Sequence, residues 1–411
     1  IIRWQPDRRY EIKNKKIKAK KPCNYQGLVS AIPDWVDLYP VYTPPYSNHD
    51  WLEYLKLKKA VLIIDENLKE STVLSELLDF LHSKQISVNE IYKQGGEVVK
   101  SWNEYQLTIE KLLDIMPRPD SLIIIVGGGS ILNFGGFVAS TVHRGEAPFI
   151  LVPTTVLSIA DVAVGSKTSI NISKGSDNRK HFVGTYANPS AVLLDPRFLE
   201  SLPEFELVSG LSECLKHGLL QDETLFRDVI DAISVKSLDS SIAFELAHRT
   251  MILKSLVLNV DPKEKSFGRV LLYGHLHAHV LERVSNFTIP HSVSVWWGIL
   301  IDLLLGNHDN EYDEIIKCLS NQQWFYTYLS IEALNVNEDT FKKAYYLDTK
   351  PIHYNSENVG EFQFLDFESI GFYGNQNSKI IIKSTGWSRL YSVINRTFNE
   401  ICIKETTGIE Q

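Results

Sequence analysis

The chain has 411 residues, 44% of them apolar, and a formal net charge of −8, enough length and apolar content to bury more than one hydrophobic core. The acidic balance excludes broad nucleic-acid binding, which depends on neutralising phosphates with Lys and Arg. No apolar run reaches membrane-spanning length, since the longest, Val293 to Leu305, is short and carries Asp302. Four scattered cysteines (Cys23, Cys214, Cys318, Cys402) form no close pair and the opening residues lack a signal-peptide pattern, so a reducing cytoplasm is the expected setting.

Residues 1–55 are rich in Pro, Tyr and Trp and read as an irregular N-terminal extension. Within it Arg8, Arg9, Lys13, Lys15, Lys16, Lys18, Lys20 and Lys21 form a basic stretch. The alternation in Tyr10-Glu11-Ile12-Lys13 and Lys16-Ile17-Lys18-Ala19 fits an exposed strand or hairpin better than a nucleic-acid arm. The regular fold starts at Ala60-Val61-Leu62-Ile63-Ile64-Asp65, a short apolar strand ending in an acid, and continues with a helical pattern from Thr72 to Ser83. Ser121 to Val126 reads as a second buried strand, running into Gly127-Gly128-Gly129, and Phe149 to Thr155 and Ala191 to Asp195 extend the alternation. Strand, helix and strand in succession imply an α/β domain with a parallel sheet, whose carboxyl edge is where ligands bind. After Leu202-Pro203 long helical patterns take over: Glu204 to Leu220, Glu223 to Ser234, Ser241 to Val260, Val270 to Ser285 and Val293 to Leu305. A boundary near residue 203 therefore separates an α/β domain (56–203) from a mainly helical one (204–411), in which short strands around Phe362 to Leu365 and Lys379 to Ile382 precede a last helix, Gly386 to Cys402.

Gly127-Gly128-Gly129 after a buried strand leaves backbone amides open to phosphate, although a simple tight turn needs the same glycines. Asp65 stands where a ribose hydroxyl could be bound, and Thr154 and Thr155 offer hydroxyls at a neighbouring strand end, so a nucleotide is favoured even without a G-x-G-x-x-G loop. In Gly274-His275-Leu276-His277-Ala278-His279-Val280-Leu281-Glu282, His275 and His279 share a helical face and His277 points away. With His291, and with Glu213 from Ser209 to Gly218, they suit a divalent ion, while hydrogen bonding among polar residues remains the alternative. Asp161 and Lys167 place an acid and a lysine just past the Thr154-Thr155 edge, and Lys167, Lys180, Lys216, Lys254, Lys350 and Arg144 are candidates for a polyanionic substrate.

These segments, in this order, resemble the dehydroquinate synthase superfamily and its sugar phosphate cyclases over residues 60–375. The motifs that carry the resemblance are Gly95-Gly96-Glu97-Val98-Val99-Lys100-Ser101, Gly127-Gly128-Gly129 to Gly136-Phe137-Val138-Ala139, Arg144-Gly145, Val152-Pro153-Thr154-Thr155, Asp161 to Asn171, Leu202-Pro203, Gly210 to Gly218, and Gly274 to Glu282 with His291. The resemblance implies an NAD-binding α/β domain followed by a mainly α-helical metal- and substrate-binding domain. It implies that Glu213, His275 and His291 hold one divalent ion, zinc or cobalt. Asp65, Asn67, Glu97, Lys100, Gly127, Gly128, Gly129, Asn133, Thr154, Thr155 and Lys180 then fall on NAD-holding positions. Asp161, Lys167, Lys216, Lys254, His279 and Lys350 fall on substrate-contacting or catalytic positions, and Arg144 on an arginine lent across a homodimer to the neighbouring active site. The implied reaction is a phosphate-eliminating carbon–oxygen lyase reaction: transient oxidation by NAD, β-elimination of phosphate, return of the hydride and aldol closure of a carbocycle.

Several positions depart from the family pattern. The acid after the glycine loop is Asn133, the family's Gly-Gly-Lys is Gly165-Ser166-Lys167 after Val162-Ala163, the asparagine beside Lys180 is His181, and the family's His-Gly-Glu is His291-Ser292-Val293. Gly268 and Leu272 stand for an arginine and an asparagine, with Arg269 one position off. In dehydroquinate synthase that arginine pairs with the substrate carboxylate, and a buried carboxylate without a partner is costly. The expected substrate is therefore a sugar phosphate without a carboxylate, such as sedoheptulose 7-phosphate or glucose 6-phosphate, as in aminocyclitol pathways. Retention of His279 sets the chain apart from the valiolone-forming branch, where that histidine is expected to be replaced. A 3-dehydroquinate synthase, an NAD-dependent polyol dehydrogenase and a non-catalytic paralogue are the alternatives.

Overall fold

The computed structural model describes residues 41–42, 56–116, 118–174, 177–235, 237–265, 267–320, 322–329, 337–347, 361–367, 370 and 380–407. The basic stretch between Asp7 and Pro22, and Lys350, lie outside the described residues. The chain divides into two compact units, one made of Lys20–Pro203 with Ala247–Pro262, the other of Ile1–Ala19, Glu204–Leu246 and Lys263–Gln411.

The first unit is built on a six-stranded parallel sheet. Its strands are β1 (Val41–Tyr42), β2 (Lys59–Asp65), β3 (Ser87–Lys93), β4 (Leu122–Gly127) and β5 (Phe149–Pro153), closed by Ala191–Leu193. Between β5 and that last strand the chain makes an antiparallel hairpin of β6 (Lys167–Lys174) and β7 (Asp177–Tyr186), so Ala191–Leu193 is β8 and the sheet order is β1-β8-β5-β4-β2-β3. Every residue of β4 is buried, as expected for a strand covered on both faces. One face packs Leu62, Ile64, Ile124 and Val126 under Leu74, Leu77 and Leu81 of α1 (Thr72–Ser83), whose start is capped by the Ser71 hydroxyl accepting from the Leu74 amide at 3.4 Å. Helix α2 (Trp102–Ile115) follows β3. On the other face lies α3 (Gly129–Thr141); a Cβ on its Gly135 would come 2.6 Å from Ile125 Cγ2, so the glycine sets how closely helix and sheet approach. The chain runs from β2 outward to β3 and then returns to β4 on the opposite side of β2. That reversal places the crevice of an open α/β sheet at the carboxyl ends of β2 and β4, between Asp65 and Gly127.

The second unit is helical: α4 (Glu204–Gly210), α5 (Ser212–Gln221), α6 (Glu223–Ser234), the first residues of α7 (Ser240–Val260), α8 (His275–Val284), α9 (His291–Gly306), α10 (Asp309–Leu319), α11 (Gln323–Leu329), α12 (Glu338–Leu347) and α13 (Trp387–Thr407). A hairpin of β9 (Glu361–Phe367) and β10 (Ile380–Gly386) matches the strands expected in the tail. From Ala247 onward α7 belongs to the first unit. Two expected helices start or break elsewhere. The pattern from Glu204 to Leu220 divides at Leu211, directly after Gly210, a poor helix former. Val270 to Ser285 becomes a 3-10 turn, Phe267–Leu272, and then α8, because Gly274 takes φ 74° and ends the first segment. No helix among the described residues is long and apolar enough to cross a membrane.

Candidate functional site

At the crevice of the first unit, Asp65 caps the end of β2 and accepts a hydrogen bond from the backbone N–H of Asn67 at 3.1 Å. Burial pushes its carboxyl above the usual range, and the contacts with Asn67 pull the other way. A Cβ on Gly95 would come 2.6 Å from Asp65 Oδ2 and one on Gly127 3.1 Å from Asp65 Cβ, so glycines clear the space around this carboxylate. Gly128 precedes the first turn of α3 and no side chain caps that turn, so its amides are not taken up by a cap. The Thr154 amide donates to Gly127 O at 3.1 Å, joining β5 to the loop, and the Thr155 amide and hydroxyl are 3.0 Å from Ser158 Oγ.

A polar cluster brings the remaining sequence candidates of this edge together. Glu97 receives Asn171 Nδ2 at 2.8 Å and lies 3.6 Å from Lys100 Nζ and 3.5 Å from Lys180 Nζ. Ser169 Oγ donates to Asn133 Oδ1 at 3.1 Å and meets His181 Nδ1 at 2.6 Å. Because the serine has given its one proton to Asn133, His181 Nδ1 is the donor in that second contact. His181 has φ 55° and its amide donates to Asn171 Oδ1 at 3.1 Å. Asn133 and His181, two departures from the family pattern, therefore meet on one hydroxyl. Ser169 was given no role from sequence, and single serines carry no signal that would have given one.

Farther along, a π turn, Ser158–Val162, presents Asp161, whose Oδ1 and backbone O both accept from Lys254 Nζ at 2.5 Å. Lys167 is exposed at the start of β6. Arg144, 89% exposed and with φ 60°, pairs with Glu146 at 3.0 Å in its own loop.

In the second unit, Glu213 of α5, His275 of α8 and His291 of α9 converge so that one ligand atom from each lies within 4.8 Å of the others. The expected ligand trio is thus one geometric group. Both histidines have Nδ1 occupied: His275 Nδ1 lies 3.2 Å from Tyr273 O and His291 Nδ1 2.7 Å from Glu282 Oε1. A proton on each Nδ1 leaves Nε2 as the lone-pair donor, the arrangement a metal-binding imidazole needs. His275 Nε2 is 3.2 Å from Glu213 Oε1. Glu213 is completely buried, and Lys216 Nζ pairs with its Oε2. Burial opposes ionisation of Glu213 most, but the Lys216 ammonium beside it outweighs burial and holds the carboxyl well below its usual range. Burial, and after it Lys216, lowers the pKa of His275, which keeps the ring neutral. A buried, ionised carboxylate and two imidazoles whose Nδ1 atoms are already engaged fit a divalent cation. Lys216 also donates to Leu271 O at 3.1 Å. His279 lies beside the trio, its ring 5.9 Å from that of His275 and 6.2 Å from that of His291. Glu282, buried and bonded to His291, received no role from sequence; its signal was the helical spacing, three residues beyond His279.

The 3-dehydroquinate synthase N-terminal model matches residues 90–209 and the 3-dehydroquinate synthase C-terminal model residues 210–350. Among curated proteins, the 3-dehydroquinate synthase of Pyrococcus furiosus is 31% identical over 324 residues, 76% of this chain and 91% of that protein. That of Chlamydia abortus is 32% identical over 257 residues, 62% of this chain and 66% of its own length. Among solved structures, 2-deoxy-scyllo-inosose synthase complexed with carbaglucose-6-phosphate, NAD+ and Co2+ superposes with a TM-score of 0.70 at 20% identity, covering 87% of this chain and 96% of that one. 2-epi-5-epi-valiolone synthase from Streptomyces hygroscopicus subsp. jinggangensis 5008, with NAD+ and Zn2+ bound, gives 0.68 at 18% identity, again covering 87% and 96%.

Proposed function

The chain belongs to the 3-dehydroquinate synthase family, and from that premise we propose that it is a metal- and NAD-dependent sugar phosphate cyclase of aminocyclitol-type specialised metabolism. Its substrate is a phosphorylated ketose or aldose without a carboxylate. The observation that carries this choice is the pair Gly268 and Leu272, which stand where the family's arginine and asparagine meet the substrate head group. A cytoplasmic homodimer, with Arg144 lent to the neighbouring copy, is part of the same reading.

NAD would supply a reversible hydride acceptor, and a divalent ion a Lewis acid at the hydroxyl to be oxidised. Asp65 is assigned the ribose hydroxyls, and the uncapped amides of Gly128 and Gly129 the pyrophosphate, with Asn67, Glu97, Lys100, Asn133, Thr154, Thr155 and Lys180 around them. Glu213, His275 and His291 hold the ion, with Glu282 and Tyr273 O fixing which imidazole nitrogen each histidine offers. Lys167, Lys216, Lys254 and Lys350 steady the negative charge that develops as the adjacent C–H ionises and phosphate departs. Asp161 directs Lys254, and His279 stands beside the three prospective ligands.

Steady-state comparison of a heptulosonate phosphate with neutral-headed sugar phosphates tests the proposal. Faster phosphate release from the neutral-headed substrates is expected. Efficient conversion of the heptulosonate to dehydroquinate would favour the second reading, a 3-dehydroquinate synthase in which half-buried Arg269 has taken over the carboxylate, the reading that the names of the curated relatives support.

A further inference from the structure

α8 and α9 form an antiparallel hairpin, and each of its ends is closed by one histidine–carboxylate contact. Near the connection, Glu282 of α8 bonds His291 of α9. At the open end His277 Nε2 of α8 meets Asp302 Oδ1 of α9 at 3.1 Å, and the other oxygen of the same carboxylate accepts the backbone N–H of Gly274 at 2.7 Å. His277 Nδ1 lies 2.7 Å from the Tyr345 hydroxyl of α12. All three side chains are 1% exposed. None belongs to the trio of prospective metal ligands or to the residues assigned to substrate or NAD.

The proton inventory closes. Asp302 is acceptor only when ionised, so His277 donates through Nε2, its Nδ1 becomes the acceptor, and Tyr345 donates to it. Each polar atom in this dry contact has a complement, and that satisfied state fixes both the ring and the backbone amide it shares a carboxylate with. The amide is the one that matters. Gly274 is the residue before α8, it holds φ 74°, and a Cβ there would come 2.7 Å from Ile299 Cγ1, while a Cβ on Gly298 would come 1.9 Å from Gly274 O. The first turn of α8 is thus pressed against α9 with no side chain between the backbones, and His275 is the next residue.

We propose that Asp302, His277 and Tyr345 are positioning residues for the metal centre: they fix the start of α8 against α9 and so hold His275 Nε2 at the correct separation from His291 and Glu213. This rests on the metal assignment made above. A histidine in the middle of the Gly274 to Glu282 stretch thereby acquires a role that is neither ligand nor solvated surface.

The test is cobalt(II) affinity of the full-length protein by calorimetry, with unfolding measured in parallel. Asp302→Asn is nearly isosteric and its oxygen can still accept from Gly274 N–H, but it removes the charge-assisted bond to His277 Nε2, and the donor it puts there forces the opposite tautomer, so that Tyr345 can no longer donate to Nδ1. Loss of such supporting contacts weakens metal binding by about 10–100-fold, and about tenfold is expected here, together with an altered cobalt visible spectrum. Tyr345→Phe should weaken binding about threefold, and it carries the test if Asp302→Asn does not fold. Asp366→Asn, which breaks a comparable contact with His308 at 2.7 Å on a hairpin that bears no ligand, should lower stability and leave the affinity unchanged. Wild-type affinity in a folded Asp302→Asn protein, or in Tyr345→Phe where it is the surviving variant, overturns the proposal. Absence of cobalt binding by the wild-type protein overturns the metal assignment itself, and this proposal with it.

Discussion

Lys216→Met separates the two counter-charges that Glu213 can have. Glu213 is 0% and Lys216 1% exposed, so removing the ammonium leaves a carboxylate inside the protein with no full positive charge beside it. Breaking a buried pair from one side costs about 3–5 kcal/mol. Lys216 also donates to Leu271 O at 3.1 Å, and that lost hydrogen bond contributes about 1 kcal/mol of the total. A divalent ion bound by Glu213, His275 and His291 restores the missing charge but not the bond to Leu271. Urea unfolding in the presence of a chelator should therefore show the full loss, and unfolding with saturating cobalt(II) should show only about 1 kcal/mol of it. By reciprocity the ammonium and the ion compete for the same carboxylate, so the variant should bind cobalt on the order of tenfold more tightly than wild type. The sign with pH follows from Glu213. Its folded pKa is depressed, so its ionised form contributes stability above its unfolded pKa and loses that contribution as the pH falls. The chelator-treated variant should accordingly differ most from wild type at neutral pH and least in acid, where Glu213 is protonated in both. An equal loss with and without cobalt would refute the reasoning, because Glu213 would then not be a ligand.

Three further outcomes are expected. Gly95→Ala pushes a Cβ to 2.6 Å from Asp65 Oδ2; NADH affinity by fluorescence titration should fall about tenfold, of the order of 1.4 kcal/mol, and an unchanged affinity would remove Asp65 from the cofactor site. Burial lowers the pKa of His248 to about 4 from 6.5, so the unfolded chain takes up a proton that the folded one refuses and stability falls as the pH drops from 6.5 to 4, by about 3 kcal/mol in all. His248→Gln should flatten the unfolding profile over that window, and an unaltered profile would contradict the assignment. Lys254→Met, which frees Asp161 from its partner, should lower kcat for phosphate release far more than it changes NAD affinity, as measured by steady-state kinetics beside NADH titration.

The elements legible in the sequence were those whose burial is continuous or one-sided. The strand at Ala60 to Asp65, the apolar run into Gly127 and the helix Thr72–Ser83 all stand as read, because each presents a clean pattern to one core. β3 was missed: Ser87-Val88-Asn89-Glu90 is largely exposed at the sheet edge and carries little apolar signal. The β6–β7 hairpin was missed because its residues are mostly polar and pair with each other, away from the main sheet. At the site, donor type and helical spacing marked Glu213 and the His275–His279 face, and the resemblance singled out Glu213, His275 and His291, which the structure brings together. His277 was read correctly as pointing away from His275 and His279. Its partners, Asp302 and Tyr345, lie 25 and 68 residues further along the chain, a separation no local pattern encodes.

The central claim is redox-neutral loss of phosphate from a sugar phosphate, and one incubation addresses it most directly. Purified protein with catalytic NAD and a divalent ion is presented with a panel of phosphorylated ketoses and aldoses, while inorganic phosphate and absorbance from NADH are followed together. The account predicts phosphate release from at least one neutral-headed substrate, in many-fold excess over the NAD present, with no lasting rise in NADH. Stoichiometric accumulation of NADH without phosphate release would contradict it and assign the protein to net dehydrogenation.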